Sequence, residues 1–586
     1  MSEQTMYEEL KEILLDKDVK KEDLVNIKNK MAKKHGVKKA PTDIEITLQI
    51  PGLKLKTKPM RTGSGVAVIA TMTAPFACPH GTCTYCPGGP NSAFGTVPQS
   101  YTGKEPSTMR AIRNRYDPYL IVMNRLEQYV VMQHIPEKVE QIIMGGTFLS
   151  FPEVYRNGYI KYSYKAMNDF GNLFYDENGN IDMELFKKFF MLPGDIHNAE
   201  RRKELQEKIF NMKDRFVGRE SVNNTSFIFI GKKKEVNLDE EKKLNEKAKI
   251  KCVAQCIETK SDICFEEHID DALNYGCTRI ELGVQTTYPE VLDKLNRGHT
   301  HEDTLKAIQL MKDSFLKVGF HMMPGLPGQT RDMEIENFKR LFRDEEWMPD
   351  ALKIYPCMVF PGTKLWDDWK SGKFKPIEAP EAAEIIAEVK QYVQPYCRIM
   401  RVQRDIPSFQ VDAGVKRTNL RQDVDEFLLK KKIVCRCIRC REPKAGNTAR
   451  KLDYNSVKIN VMKYKSSGGT EYFISADDMK NDTLIGFCRL RVPYKPFRQE
   501  ITPGSVGIRE LHVYGTSVAI GEDNLITKEE SSQHRGWGKR LLEEAERIAR
   551  EEIHAKKILV ISGVGVKEYY RKLGYVDDGI YVSKVL

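Results

Sequence analysis

Cys78, Cys83 and Cys86 fall within nine consecutive positions of the run ACPHGTCTYCPGGP (77–90), with His80 among them. Closely spaced thiols in a reducing compartment bind metal more readily than they pair as disulfides. Two chemistries fit this trio. With His80 it completes a Cys3His tetrahedron for zinc. Alone, it holds three irons of a [4Fe–4S] cluster and leaves the fourth iron to a substrate or cofactor, whereas most clusters take four cysteines. A second trio, Cys435, Cys437 and Cys440 in CRCIRC (435–440), has a spacing that suits structural zinc closed by a distant Cys or His. The alternative there is three buried or reactive thiols. The chain has 13 cysteines, so seven lie outside the trios, most of them expected as small buried apolar side chains.

A third chemical signal lies far downstream. In QHRGWGKRLLEEAERIA (533–549) a glycine loop opens an amphipathic helix. Such a loop lets backbone N–H groups approach a pyrophosphate at the helix N-terminus. A plain helix cap is the alternative reading.

These motifs need a scaffold. Apolar runs at 62–76, 141–150, 252–262, 277–286, 318–330 and 351–363 read as strands ending in polar or glycine-rich loops, with helices such as HEDTLKAIQLMKDSFLK between them. That alternation predicts a parallel α/β barrel or partial barrel with its chemistry at the C-terminal strand ends. Residues 153–250 are charge-rich and read as a mostly helical insertion. The segment 401–450 links the barrel to a smaller α/β domain over 451–586, with strands at 510–520 and 557–566 and a helix at 538–552.

Composition sets the outer limits. An apolar share of 41% with 30% charged residues describes a globular chain, and 586 residues require several cores. No apolar run approaches a membrane span, and MSEQTMYEELKEILL is not a basic-then-apolar leader. The protein is therefore expected in the cytoplasm, with no membrane role. The net charge of +11 is concentrated near the N-terminus, where Leu24, Ile27 and Met31 recur at helical spacing among lysines. This basic segment, 1–61, reads either as a solvated surface or as a phosphate-backbone contact.

The cysteine trio and its barrel resemble the radical S-adenosylmethionine (SAM) superfamily. MGGT (144–147), GVQTTYPEVLDKLNRGH (283–299) and HMMPGLPGQT (321–330) match its ordered signatures. One extra residue separates the first two cysteines, and Thr286 replaces the usual serine. The downstream loop, with YYRKLGYV (569–576), resembles GNAT acetyltransferases. The joined pair is similar to the Elongator catalytic-subunit family in its archaeal, stand-alone form. CPHGTCTYCPGGP, QSYTGKEPSTMRAIRNRYDPY, RVQRDIPS, RELHVYGT and VISGVGVKEYYRKLGY carry that resemblance along nearly the whole chain. Three departures stand out: 153–250 is longer than usual, IETKSD (257–262) replaces ETRPD, and CRCIRC is not found in all relatives.

The resemblance implies a radical-SAM barrel over 62–400, a GNAT domain over 451–586, and installation of a carboxymethyl unit on C5 of the wobble uridine of tRNA. Acetyl-CoA would donate the two-carbon unit, SAM a deoxyadenosyl radical, and water would release CoA. Cys78, Cys83 and Cys86 would hold the cluster, and Gly145 and Gly146 would contact SAM. Lys138, Glu510, Leu511, His512, Val513, Trp537, Gly538, Lys539 and Tyr570 would hold acetyl-CoA, with Tyr570 protonating the departing thiolate and Lys138 reaching across so that the two sites face one another. The basic N-terminal segment, RAIRNR (110–115) and RVQRD (401–405) would grip an anticodon stem-loop. The electron donor is left open, as are extra subunits or a homodimer. Two rivals stand beside this reading: a protein lysine acetyltransferase with a structural cluster, and a tRNA-docking scaffold.

Overall fold

The computed structural model describes residues 2–15, 21–37, 39–50, 53, 65–194, 198–222, 225–443, 452–514 and 536–586. Several readings fall outside them: Lys20, Lys38, Lys54, Lys56, Lys58 and Arg61 of the basic segment, Gln533–Arg535 of the glycine loop, and 515–520 of the strand read at 510–520.

Seven parallel strands form the first sheet: β1 (Val66–Met72), β2 (Lys138–Met144), β3 (Lys251–Thr259), β4 (Arg279–Gln285), β5 (Lys317–Met322), β6 (Ala351–Ile354) and β7 (Arg398–Arg401). Their order in space is their order in the chain, and β1 does not pair with β7, so the sheet is an open barrel. Strand parity sorts its side chains. On β4, Ile280, Leu282 and Val284 are buried in the apolar core, whereas Arg279, Glu281, Gly283 and Gln285 line an inner cavity. The strand read at 318–330 ends at Met322, because Pro324 and the positive-φ Gly325 and Gly328 turn the chain away.

Parallel neighbours need a long crossover. Between β2 and β3 it is helix Glu153–Phe174, which buries Ile160, Met167, Phe170 and Phe174 in the barrel core. The segment read as an insertion is thus part of the barrel's own packing. It also carries an antiparallel hairpin, Arg215–Val222 with Thr225–Lys233, that a helical reading does not foresee.

The second sheet contains β8 (Val457–Ser466), β9 (Gly469–Asp478), β10 (Thr483–Val492), β11 (Ser505–Val513), β12 (Lys557–Val560), β13 (Val576–Asp578) and β14 (Tyr581–Val585). All neighbours are antiparallel except β11 and β12. That parallel pair runs from Ser505–Lys557 to Ile508–Val560 and then parts. Helix Trp537–Arg547 covers the sheet with Leu541, Leu542 and Ala545, and the positive-φ Gly536 caps its start. The strand read at 557–566 stops at Val560, and a short turn at Val564–Val566 follows.

This domain closes the N-terminal end of the barrel. Arg509 donates to Asp350 and to the Leu316 carbonyl, Tyr581 to the Ser314 carbonyl, and Lys317 at the start of β5 to Glu510. At the N-terminus, helix Lys21–Lys34 packs Leu24 and Met31 against Met6, Leu10, Leu14, Ile46 and Ile50 in a small separate core. No described helix is long and apolar enough to cross a membrane.

Candidate active site

Two tight turns shape the loop after β1: Gly81 N–H donates to the Cys78 carbonyl and Cys86 N–H to the Cys83 carbonyl, each at 3.0 Å. The LNRGHT loop braces it, since Thr84 N–H reaches the Leu295 carbonyl and the Asn296 amide reaches the Thr82 carbonyl, also at 3.0 Å. Polar groups ring the three sulfurs. Arg297 Nη1 donates to Cys83 Sγ at 3.6 Å, and Ser100 N–H to Cys86 Sγ at 3.3 Å. His80 Nε2 lies 3.4 Å from Cys83 Sγ, and Thr147 Oγ1 lies 3.8 Å from Cys78 Sγ.

These surroundings make the thiols unequal. Burial pushes Cys86 up to about 11 and raises Cys78. Burial also opposes ionisation of Cys83, but the charge of Arg297 and hydrogen bonds from His80 and Arg297 outweigh it and bring that thiol down to about 6.

The trios differ in a way that separates their metals. A tetrahedral zinc with Zn–S bonds near 2.3 Å sets its sulfurs about 3.8 Å apart. Among the described residues, the sulfurs of Cys435, Cys437 and Cys440 lie within 4.8 Å of one another, while those of Cys78, Cys83 and Cys86 do not converge to that degree. The first trio thus fits a multi-iron cluster better than one ion, and the second fits one ion. No described Cys, His, Asp or Glu joins the second trio within that distance, so the expected distant ligand is not brought to it.

Gly145 and Gly146 follow the end of β2 with φ of +133° and +101°. A Cβ on Gly145 would fall 1.9 Å from Thr73 Oγ1, and one on Gly146 2.9 Å from Gln99 Cβ. Only glycine gives the backbone this approach beside the cysteine loop.

The opposite end of the same cavity belongs to the second domain. Beyond Ile508, β11 keeps its partner β10 on one side only, through the pairs Arg489–Glu510, Cys488–Leu511, Phe487–His512 and Gly486–Val513. Among the described residues no strand pairs with the other edge of Glu510–His512, which suits it to an extended amide chain. Gly538 sits beside it, with Val513 Cγ2 and the Tyr569 hydroxyl around the place of a side chain. Trp537 is buried, and Lys539 is exposed and paired with Glu543 at 3.7 Å. Burial holds the Tyr570 phenol well above its ordinary range, so it keeps its proton. Burial likewise lowers His512 to about 4, so its imidazole is neutral near pH 7. Glu510 faces Lys317 and Arg489, at 2.9 Å from Arg489 Nε, which makes it an anchor of the strand.

A single cavity of about 2040 Å³ collects these parts. Cys78, Cys83, Cys86, Gly146, Lys138, Glu510, Leu511, His512, Val513, Gly538, Lys539 and Tyr570 all line it. Gly145, Trp537, Cys435, Cys437 and Cys440 do not. The sequence reading missed a buried polar group on the inner wall: Glu281 lies 3.0 Å from His321 Nε2 and pairs with Lys353, which also reaches Glu258 at 3.3 Å. Alternate polar positions in RIELG and KVGFHM were the available signal. Arg297 and Tyr569 were missed too, although both stand inside quoted motifs. Of RAIRNR, Arg113 and Arg115 are exposed, but Arg110 turns inward to the Ala70 carbonyl at 3.3 Å.

The comparisons agree with this architecture. Residues 218–341 match the Radical SAM superfamily, 349–430 the Radical_SAM C-terminal domain, and 448–575 the Acetyltransferase (GNAT) family. The tRNA uridine(34) acetyltransferase of Methanocaldococcus infernus is 44% identical over 552 residues, 94% of this chain and 90% of that protein. Elongator complex protein 3 of Homo sapiens is 39% identical over 577 residues, 96% of this chain and 93% of that one. The solved structure of the archaeal Methanocaldococcus infernus Elp3 with an N-terminal deletion (1–46) superposes with a TM-score of 0.69 at 39% identity, covering 89% of this chain and all of that one. On this breadth of identity, the chain belongs to the family of Elongator complex protein 3 and tRNA uridine(34) acetyltransferase.

Proposed function

We propose that the protein modifies C5 of the wobble uridine of tRNA, taking a two-carbon unit from acetyl-CoA and using radical-SAM chemistry to form the carbon–carbon bond. One observation carries this reading: the cysteine trio and the β11 stretch Glu510–Val513 line the same cavity. A plain acetyltransferase has no use for that connection.

Cys78, Cys83 and Cys86 would hold a [4Fe–4S] cluster, with Gly145 and Gly146 making room for the amino-acid end of SAM. Bound together, cluster and SAM supply a hydrogen-abstracting radical. Arg297 and the Ser100 N–H stabilise charge on the cysteine sulfurs. At the other end, the cavity-lining stretch Glu510–Val513 would take the pantetheine amides, and the N-terminus of helix Trp537–Arg547 the pyrophosphate. The protonated Tyr570 phenol would donate to the departing CoA thiolate. Lys138, exposed at the first position of β2, would meet the acyl end from the barrel side. The second trio would hold a structural zinc. Exposed Lys30, Lys33, Arg113 and Arg115 offer phosphate contacts to tRNA.

The test is to supply reduced, anaerobically reconstituted protein with SAM, methyl-labelled acetyl-CoA and tRNA, then digest the RNA to nucleosides. Label at C5 of uridine is expected. Label on protein lysines alone would establish the lysine acetyltransferase instead, and absence of transfer would leave a docking scaffold.

A further inference from the structure

The long segment 153–250 spends part of its length on a surface rather than on the core. Its hairpin, Arg215–Val222 with Thr225–Lys233, is sorted by strand parity. Val217 is buried in the barrel core, Ile228 packs against that core, and Arg219 turns to Asp182 at 3.5 Å. Phe216, Phe227 and Phe229 stand on the opposite face, where Phe216 is 57% and Phe227 39% exposed. Two glycines shape this face. A Cβ on Gly218 would fall 2.6 Å from the Phe229 ring, so glycine lets that ring lie across the neighbouring strand. Gly231 sits beside Phe216, with its Cβ position 3.5 Å from Phe216 Cβ. The Phe216 and Phe229 rings are 5.8 Å apart and tilted by 32°. Exposed apolar side chains gathered on one face mark an interaction site.

Charge and position name the occupant. Residues 199–235 hold ten Lys and Arg against six Asp and Glu, and Lys203, Lys232 and Lys233 are exposed. Helix Ala199–Met212 lies against RAIRNR, where the Gln206 amide donates to the Arg113 carbonyl and to the Asn114 side-chain oxygen. Lys213, just before the hairpin, binds Asp117, which caps helix Pro118–Val131. That helix runs back toward the start of β2, so Asp117 stands at the C-terminal end of the barrel with the cysteine loop. The hairpin therefore extends the surface of the exposed Arg113 and Arg115 outward from the mouth of the barrel.

Resting on the function proposed above, we infer that this hairpin is a stacking platform for unpaired bases of the tRNA outside the wobble position. Aromatic faces accept any base, because every base has a π-face, and neighbouring lysines neutralise the backbone. A protein docked through apolar area accepts leucine in place of a ring; a stacked nucleobase does not.

Two measurements on the full-length protein test this. First, the variant Phe216→Ala/Phe227→Ala/Phe229→Ala should bind tRNA at least about tenfold more weakly in fluorescence anisotropy, with CoA affinity by calorimetry within about twofold of the unmodified protein. The matching Phe216→Leu/Phe227→Leu/Phe229→Leu variant should lose tRNA affinity to a similar degree. Second, tRNA is crosslinked to the unmodified protein with short-wavelength ultraviolet light and the linked peptides are mapped. Crosslinks at Phe216, Phe227 or Phe229 are expected. An alanine variant that binds tRNA as the unmodified protein does would give the face to a protein contact and overturn the platform. A leucine variant with full tRNA affinity would reduce it to generic apolar contact, and crosslinks absent from 215–233 would also overturn it. If the alanine variant loses CoA binding as well, its fold is damaged and the crosslinks decide. Neither measurement needs turnover, so failure of the platform is distinct from failure to label C5 of uridine.

Discussion

Arg491 of the acetyltransferase sheet and Asp313 of the barrel meet with neither side chain exposed: Nη2 lies 2.6 Å and Nε 2.9 Å from the same carboxylate oxygen. Asp313 also accepts from the backbone N–H groups of Tyr494 and Lys495. Without Asp313, the Tyr494 and Lys495 amides lose their acceptor and Arg491 keeps only Glu471, at 2.9 Å from its Nη1, among its buried carboxylates. Asp313→Ala should therefore destabilise the protein by about 3–5 kcal/mol, read from the denaturant midpoint. A loss below about 1 kcal/mol, the range of an exposed pair, would contradict this account of the joint.

Lys317 transmits the same joint to the acetyl-CoA strand. Its ammonium and Arg489 together hold Glu510, the residue at which β11 has already parted from β12. Lys317→Ala should weaken CoA binding by about tenfold in calorimetry while tRNA-independent SAM cleavage stays unchanged. Lys317→Arg should recover most of the affinity. Equal losses at both activities would mean a general structural defect rather than positioning of the strand.

Glu334 makes stability depend on pH. Burial raises its carboxyl to about 8, although the Gly325 N–H donates to it at 2.6 Å. An unfolded glutamate titrates near 4.3. Between those values the folded chain holds a proton that the unfolded chain has released, so stability falls as pH rises through the window. Glu334→Gln removes this slope. Its melting temperature should match the unmodified protein near pH 4 and exceed it by several degrees at pH 8.5. Parallel pH profiles for the two proteins would show that Glu334 is not the group responsible.

Metal content separates the trios. Cys437→Ser should lose about one zinc per chain and keep its iron. The triple variant Cys78→Ser/Cys83→Ser/Cys86→Ser should lose its iron and keep the zinc. Measurement is by elemental analysis of anaerobically purified protein. Zinc disappearing from the triple variant instead would assign it to the first trio.

Sequence alone determined the features written in local spacing. A cysteine loop, a glycine pair after a strand and a glycine-capped helix each depend on a few consecutive residues, so Cys78, Cys83, Cys86, Gly145, Gly146 and Gly538 were readable before any coordinates. Strand–helix alternation fixed the class of the barrel for the same reason. Tertiary structure decided what depends on register and parity across distant strands. Arg279, Glu281, His321 and Lys353 look like scattered charges in the chain, and they become one wall only because parallel pairing brings the inward positions of β4, β5 and β6 side by side. The docking of that domain on the N-terminal mouth is likewise set by contacts between residues more than a hundred positions apart, as between Arg491 and Asp313. No local pattern encodes such contacts, because their energy exists only when both partners are already folded into place.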